Sequence, residues 1–317
     1  MRKVDVAVIG ASLAGATCVR ELTRLGIDAV ALERDAFPRD KVCGGFLSPG
    51  AVRVLEEIHM LEEVRAAGAT EVHSARMRTE GVDLSFDLPG AGLGISRRVL
   101  DALVANHPSV ERAHVRSVDG LILKLDDTEI RTRVIIDASG KLSRFTIRED
   151  VEEFGVQFYE HSPPSGVLDF WFFEDGYGGA VTVEDGRSNC CFLINKDALP
   201  RYVHKPGCRV TGPLAYSARP SPWIAIGDAA GMIDPFCGEG MRHALDTGRI
   251  AAWVVADGMR AGRSYEEMRR RYLMERETRW SHKRAIARWI RRVIRRPAAL
   301  RQALRVRPQW FLAQMWR

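Results

Sequence analysis

Six cysteines are spread through 317 residues (Cys18, Cys43, Cys190, Cys191, Cys208 and Cys237), and no Cys-x-x-Cys pair occurs among them. That spacing excludes a clustered thiolate metal site, so no metal is expected. Scattered thiols in a chain this long fit a reducing compartment better than a disulfide framework. The sequence also lacks a run of roughly 18 uninterrupted apolar residues, the length a membrane-spanning helix needs. Its opening, Met1-Arg2-Lys3 and then VDVAVIGASLAGATCV, has the outline of a secretion signal, but Asp5 interrupts the apolar run. The expectation is a cytoplasmic protein. Apolar residues make up 46% and charged residues 28%, which is ordinary for a soluble globular chain of one large or two intergrown domains.

Acidic residues are scarce in one place. From Arg260 to Arg317 there are 18 Arg and Lys against 4 Asp and Glu, a local charge of +14 within a net charge of +6. The preceding 259 residues therefore carry −8. A basic C-terminal segment sits on a mildly acidic body.

The most informative stretch is VDVAVIGASLAGATCVRELTRLGIDAVALERD, residues 4–35. Val4, Val6, Val8 and Ile9 read as a short buried strand. The turn Gly10-Ala11-Ser12-Leu13-Ala14-Gly15 follows, then a helical run from Ala16 to Leu25 that ends at Gly26. A second apolar run, Ile27 to Leu32, stops at Glu33, with Arg34 next. Strand, glycine turn, helix, strand and acid form a dinucleotide-binding unit. Gly10 permits the tight turn, Gly15 lets helix and strand pack closely, and a pyrophosphate meets the helix N-terminus. Glu33 stands where an acid accepts ribose hydroxyls. Ser12 occupies the second glycine position of G-x-G-x-x-G; it is small, and its hydroxyl is able to bond a phosphate.

Two later stretches repeat the pattern of a buried strand ending in a polar elbow. VIIDASGKLSRF (134–145) ends its strand at Asp137-Ala138-Ser139-Gly140. WIAIGDAAGMIDPFCGEGM (223–241) runs from strand through Gly227-Asp228 and a loop to a helix start at Gly238-Glu239-Gly240. With the N-terminal unit, these motifs resemble flavoproteins of the class A monooxygenase and geranylgeranyl reductase superfamily. The resemblance is closest to the geranylgeranyl reductase-like branch. It rests on KVCGGFLSPGAV (41–52), ISRRVLDALV (95–104), GYGGAVTVEDGRSNCCFLI (176–194) and GDAAGMIDPFCGEGMRHALDTGRIAA (227–252), and covers about residues 1–275.

The resemblance implies an FAD enzyme with a Rossmann-like α/β FAD-binding domain, an inserted antiparallel β-sheet substrate domain and a helical C-terminal segment. The FAD-binding parts are expected at 1–68, 96–150 and 214–280, the sheet at 69–95 and 151–213, and the basic segment at 281–317. The cofactor-binding set comprises Gly10, Ser12, Ala14, Gly15, Glu33, Arg34, Cys43, Gly44, Arg97, Gly140, Gly227, Asp228, Gly238, Gly240 and Met241. Asp228 would bond the ribityl chain, and the helix start at Gly238 to Gly240 would direct N–H groups at the flavin N1/C2=O edge, where reduced flavin is negatively charged. Arg97 would contact the pyrophosphate or hold the FAD-side loop, with Arg98 as its alternative. Pro235, Phe236 and Cys237 would line the flavin face, so that Pro235, Gly238 and Cys43 border the chemistry. Cys43 is either a proton donor or a small buried apolar residue.

The implied activity is hydride transfer from reduced flavin to a C=C bond of a lipophilic, isoprenoid- or polyketide-like substrate, the proton coming from Cys43 or water. The alternative is a monooxygenase acting through a C4a-hydroperoxide, and a remote one is a flavin-binding accessory protein without catalysis. Gly231 stands where oxygenase relatives commonly have His, and the Trp-x-Trp-x-Ile-Pro signature of flavin halogenases is absent. No second glycine-rich βαβ unit exists for a nicotinamide, so the reductant is a transient NAD(P)H or a separate electron donor. The stretch VLDFWFFEDGYGGAVTVEDGRSNCCFLI (167–194) reads as three strands joined by glycine-containing turns, with Phe170 to Phe173 giving an aromatic roof and Cys190 and Cys191 on opposite faces. The short connection after Ile194 suggests a small roof over an open pocket.

In the tail, Ile286, Trp289, Ile290, Val293 and Ile294 recur at helical spacing among Lys283, Arg284, Arg288, Arg291, Arg292, Arg295 and Arg296, and Pro297 ends the run. Three readings stand: a helix packed on the protein with a solvated basic face, a peripheral helix on an anionic membrane, or a docking site for an acidic partner such as an acyl carrier protein. Trp310 and Trp316 are expected to be exposed or loosely packed. No fold signal supports nucleic-acid binding.

Overall fold

Val6, Ala7, Val8 and Ile9 are all buried, and a strand apolar on both faces belongs inside a sheet covered on both sides. The computed structural model describes residues 1–317 except 146, 149–152, 215–217, 220, 307–315 and 317. Along the chain, β1 (Val6–Ile9), α1 (Leu13–Arg24) and β2 (Ala29–Glu33) come first. Next are β3 (Phe46–Leu47), α2 (Pro49–Glu57), β4 (Thr70–Thr79), β5 (Val82–Gly94) and α3 (Arg97–Ala105). The middle holds β6 (Val110–Arg112), β7 (Val134–Asp137), β8 (Glu153–Glu160), β9 (Val167–Phe173), β10 (Gly176–Thr182) and β11 (Ser188–Asn195). The chain then runs through β12 (Arg209–Thr211), β13 (Ile224–Ala225), α4 (Gly240–Arg260), α5 (Tyr265–Ile294) and α6 (Pro297–Val306).

Five strands pair in parallel in the order β13-β7-β1-β2-β6, so the C-terminal ends of β1, β2, β7 and β13 emerge along one edge. In an open parallel sheet that edge is where ligands bind. α4 packs on α1 so closely that a Cβ at Gly248 would lie 2.4 Å from the Ala14 carbonyl oxygen.

The second sheet has eight strands in the order β12-β8-β11-β10-β9-β4-β5-β3, antiparallel except for the β9–β4 pair. β9, β10 and β11 are the three strands read from 167–194. Alternation sorts the aromatic run as a strand must. Phe170 and Phe172 are buried on one face, while Trp171 and Phe173 are half-buried on the other beside Phe192 and Tyr202. Cys191 faces the interior cleft and Cys190 the opposite cluster.

α5 is a single 30-residue helix, opened by a capping box in which Ser264 and Glu267 satisfy each other's backbone N–H groups. It runs unbroken through residues 280 and 281. Trp280, Ile290 and Ile294 from α5, with Leu300 and Leu304 from α6, enter the same core as Phe170, Phe172 and Tyr177. Trp316 departs from expectation: it is 4% exposed, wedged between Phe46 and Phe86 with ring centroids 6.2 and 6.0 Å away. An indole offers a large apolar area, and these two rings of the eight-stranded sheet give it a place to bury it. Trp310 lies outside the described residues. Among the described residues, no helix is long and apolar enough to cross a membrane.

Candidate functional site

Gly10 has φ +97°, and a Cβ there would lie 2.6 Å from the Ala138 carbonyl oxygen. A Cβ at Gly15 would fall 1.9 Å from the Gly10 carbonyl oxygen. Only glycine lets α1 start this close to the ends of β1 and β7. The N-cap residue Ser12 makes no side-chain cap bond, so the first-turn amides of α1 are left for another acceptor. Its hydroxyl is instead engaged sideways, donating to Asp101 Oδ2 at 2.8 Å and accepting from Arg97 Nη2 at 2.7 Å.

Arg97 and Asp101, one turn apart on α3, form a bidentate pair at 2.6 and 2.8 Å. Their side chains are 10% and 0% exposed. Burial works against both charges, yet Asp101 raises the guanidinium pKa and Arg97 lowers that of the carboxyl. Arg98 is half exposed beside Asp40, whereas Arg97 lines the cleft described below. Lys41 lies 3.5 Å from Ser12 Oγ, its pKa lowered by burial and by Arg97. Burial pushes Lys141 down to about 8, with Asp228 opposing and Lys41 adding to the shift. Three cations thus gather beside the glycine turn, facing Asp101 and Asp228.

Glu33, buried at the end of β2, accepts from the Ala11 N–H at 3.0 Å, the Asp35 N–H at 3.1 Å and Arg39 at 3.2 Å. Arg34 points elsewhere; its side chain is 63% exposed and pairs with Asp35. Asp137 clamps its own elbow, accepting from Ser139 N–H and the hydroxyls of Ser139 and Ser143. Asp228 is half-buried, and among the described residues its carboxylate accepts no protein hydrogen bond. Gly227, at φ +57°, sets that elbow, because a Cβ would lie 2.9 Å from the Ala14 methyl.

At the other end, Asp234 caps the turn that carries Pro235 and Phe236. Its Oδ1 accepts from the Phe236 N–H at 3.0 Å and the Tyr177 hydroxyl at 2.7 Å, and Oδ2 accepts from Arg291 at 2.9 Å. Gly238 follows at φ +62°, and α4 begins at Gly240, where a Cβ would meet nothing within 4 Å. Cys43 is half-buried, and its carbonyl accepts from Asn189 at 3.0 Å. The Cys237 side chain lies outside the described residues.

These residues line one cleft of about 1410 Å³, its solvent mouth included. Ser12, Ala14, Cys43, Gly44, Arg97, Gly140, Gly227, Asp228, Pro235, Gly238, Gly240 and Met241 all face it. Gly10 and Gly15 lie behind the wall, and Glu33 stands at the β2 end. Leu168, Phe170, Leu193, Leu214, Ile233 and Phe236 make the far side apolar. Lys41, Lys141 and Tyr177 also line the cleft and had no role in the sequence reading. The lysines sit inside motifs that were read, KVCGG and DASGK, so their position was visible although their shared cleft was not.

The residues fit a dinucleotide joined to a flat ring. Cations and unclaimed amides sit at the glycine turn, an acid stands at the β2 end, Asp228 has free acceptor capacity, and the bare Gly240 start borders an apolar wall. A family model described as FAD binding domain matches residues 3–152. Menaquinone reductase of Mycobacterium tuberculosis is 28% identical, covering 79% of this chain and 76% of its own. Digeranylgeranylglycerophospholipid reductase 2 of Methanothermobacter thermautotrophicus is 26% identical over 89% of this chain and 84% of its own. The flavin-dependent brominase Bmp2 shares the fold at TM-score 0.80 and 17% identity, over 99% and 93% of the two chains. PqsL of Pseudomonas aeruginosa, described as a probable FAD-dependent monooxygenase, does so at 0.79 and 17%, over 96% and 100%. The chain carries an FAD-binding domain, and across most of its length it is similar to FAD-dependent oxidoreductases of the geranylgeranyl reductase-like kind.

Proposed function

We propose that the enzyme reduces a C=C bond of a lipophilic, isoprenoid-like substrate. The observation that carries this reading is the division of the cleft. Among the described residues, every charged side chain lining it (Lys41, Arg97, Lys141 and Asp228) is at the glycine-turn end, while the sheet-side wall is aliphatic and aromatic. A wall of Leu168, Phe170, Leu193, Leu214 and Ile233 favours a hydrocarbon substrate through burial alone. Two relatives are named for reductions of isoprenoid lipids, a menaquinone and a digeranylgeranylglycerophospholipid, which supports the same class here.

Bound FAD supplies the hydride. The chain's own residues hold the reacting groups and manage the proton. Arg97, Lys41 and Lys141 gather positive charge where the pyrophosphate would lie. The α4 N-terminus, opening at Gly240, favours negative charge on the ring edge it faces. Cys43, held through its carbonyl by Asn189, borders the space between turn and wall, and its thiol would protonate the second carbon. Phe170, Phe236 and Tyr177 exclude water from that space. NAD(P)H or a separate carrier reduces the enzyme transiently, since the sequence offers no second dinucleotide fold.

Anaerobic turnover tests the reading. Reduced holoenzyme mixed with a long-chain isoprenoid quinone or a geranylgeranyl lipid should yield product two hydrogens heavier, at a rate unaffected by oxygen. Product that forms only with oxygen and carries its label would make the enzyme a monooxygenase instead.

A further inference from the structure

The positive charge of the tail divides sharply once its partners are traced. Lys283 reaches Glu239 at 3.4 Å, Arg284 pairs with Glu277, Arg291 with Glu153 and Asp234, Arg295 with Glu153, and Arg301 with Glu80 at 3.0 Å. Except for Arg284, whose partner lies on α5 itself, those cations hold the helices to the body. Arg288, Arg292 and Arg296 are different. They are exposed, and among the described residues none of them forms an ion pair. Arg288 and Arg292, four residues apart, lie along one stripe of the C-terminal end of α5, and Arg296 stands just past the helix end, before α6. Trp289, 37% exposed, lies within that stripe, while Ala287, Ile290 and Ile294 bury the opposite one.

We propose that this stripe docks the enzyme on an anionic lipid bilayer. Three uncompensated guanidinium groups supply the attraction to a negative surface, and the amphipathic indole among them suits the headgroup level. A folded acidic partner would find only this narrow stripe at the C-terminal end of α5, where Arg284 and Arg291 are already paired, whereas a bilayer needs no shaped counterpart. The same end of α5 lines a second cavity through Arg291, Ile294 and Arg295, and that cavity shares Tyr177 and Leu193 with the flavin cleft. The proposal gains its purpose from the lipid-reductase reading, but its test involves no turnover.

FAD-loaded full-length protein is sedimented with vesicles of phosphatidylcholine, with or without phosphatidylglycerol, at low and high salt. Binding is expected to the anionic vesicles only, and to weaken with salt. The variant Arg288→Gln/Arg292→Gln/Arg296→Gln should bind on the order of 100-fold more weakly, since each charge near such a surface is worth about fivefold. Its flavin spectrum and Tm should match the parent. Substituting three exposed arginines elsewhere, Arg112, Arg116 and Arg131, by Gln should leave most of the binding intact. Brominated lipid should quench tryptophan emission, and Trp289→Phe should remove that quenching. Absent binding to anionic vesicles, equal binding to neutral ones, or a triple variant that binds like the parent each overturns the proposal; the first would redirect the stripe to a protein partner.

Discussion

Asp101→Asn separates the folding role of the α3 ion pair from its cofactor role. The pair is buried, with Asp101 wholly enclosed and both contacts under 3 Å. Neutralising the acid leaves the Arg97 guanidinium charged, enclosed and bonded only to neutral groups, which in buried pairs costs about 3 to 5 kcal/mol. Asparagine keeps the shape and one acceptor oxygen, so the loss should fall near the lower end, about 3 kcal/mol. Replacing both partners, Arg97→Met with Asp101→Leu, removes the stranded charge and leaves the Ser12 hydroxyl short of partners, a deficit of about 1 kcal/mol. The double variant should thus be more stable than Asp101→Asn. It should nevertheless bind FAD about 10- to 100-fold more weakly, the worth of one hydrogen bond to a charged group. Urea unfolding of the apoprotein gives the first quantity, and fluorescence titration with FAD the second. If Asp101→Asn unfolds within 1 kcal/mol of the parent (about the worth of an exposed pair), the burial argument fails. If the double variant binds FAD normally, Arg97 serves the fold alone.

Other outcomes follow from the same geometry. With Lys141 at about 8 in the apoprotein, FAD affinity should be flat below that pH. It should fall by up to about tenfold per unit above, as the cation facing the phosphates is lost, and Lys141→Gln should flatten the profile. His243 is buried, its ring 4.8 Å from Trp280, and burial with Arg276 and Arg284 pushes it down to about 3. The unfolded chain takes up that proton first, so stability is lost as pH falls below the ordinary 6.5, by up to about 1.4 kcal/mol per unit. His243→Leu should reduce this slope in urea unfolding between the two values. Gly15→Ala should abolish soluble protein, because its methyl collides with backbone. Gly240→Ala meets no protein atom and should leave apoprotein stability unchanged while weakening FAD binding, measured by titration.

Local chemistry made part of the site legible. Gly10, Gly15 and Glu33 were readable because a tight βαβ turn restricts both residue type and spacing, and the Gly15–Gly10 approach and the Glu33 hydrogen bonds lie within two dozen residues of sequence, although Gly10 also meets Ala138. The Asp228 elbow was readable for a similar reason: a buried strand must end where the polar residue begins. Contacts across the fold were not readable. Sequence shows that the Ser12 hydroxyl is able to bond a phosphate, but not that it sits between Asp101 and Arg97, more than 80 residues away. Arg34 follows Glu33 directly, yet it stands past the end of β2 and turns outward, and Arg39 takes the place beside the acid. Tyr177 and Asp234 are 57 residues apart, and only pairing of β10 beneath the loop brings them together.

The tail shows how composition misleads when partners are distant. Its excess of arginine at 281–317 leaves a packed helix, a membrane helix and a docking site equally open, and Trp310 and Trp316 read as exposed or loosely packed. Yet Glu153 and Asp234, both buried acids of the body, are compensated by Arg291 and Arg295 of α5. The −8 of the body and the +14 of the tail are thus partly one electrostatic system. Removing residues 281–317 would strip two acids of their counter-charges and uncover Phe170, Phe172 and Tyr177, whose core includes Ile290, Ile294, Leu300 and Leu304. Each exposed aliphatic contact is worth about 1.5 to 3 kcal/mol, so loss of four approaches the whole stability of an ordinary domain. The truncated chain should therefore be insoluble or fail to hold FAD, as judged by expression and the flavin spectrum. A soluble, yellow truncation would mean that the sheet roof stands without its helices and that the tail is an appendage after all.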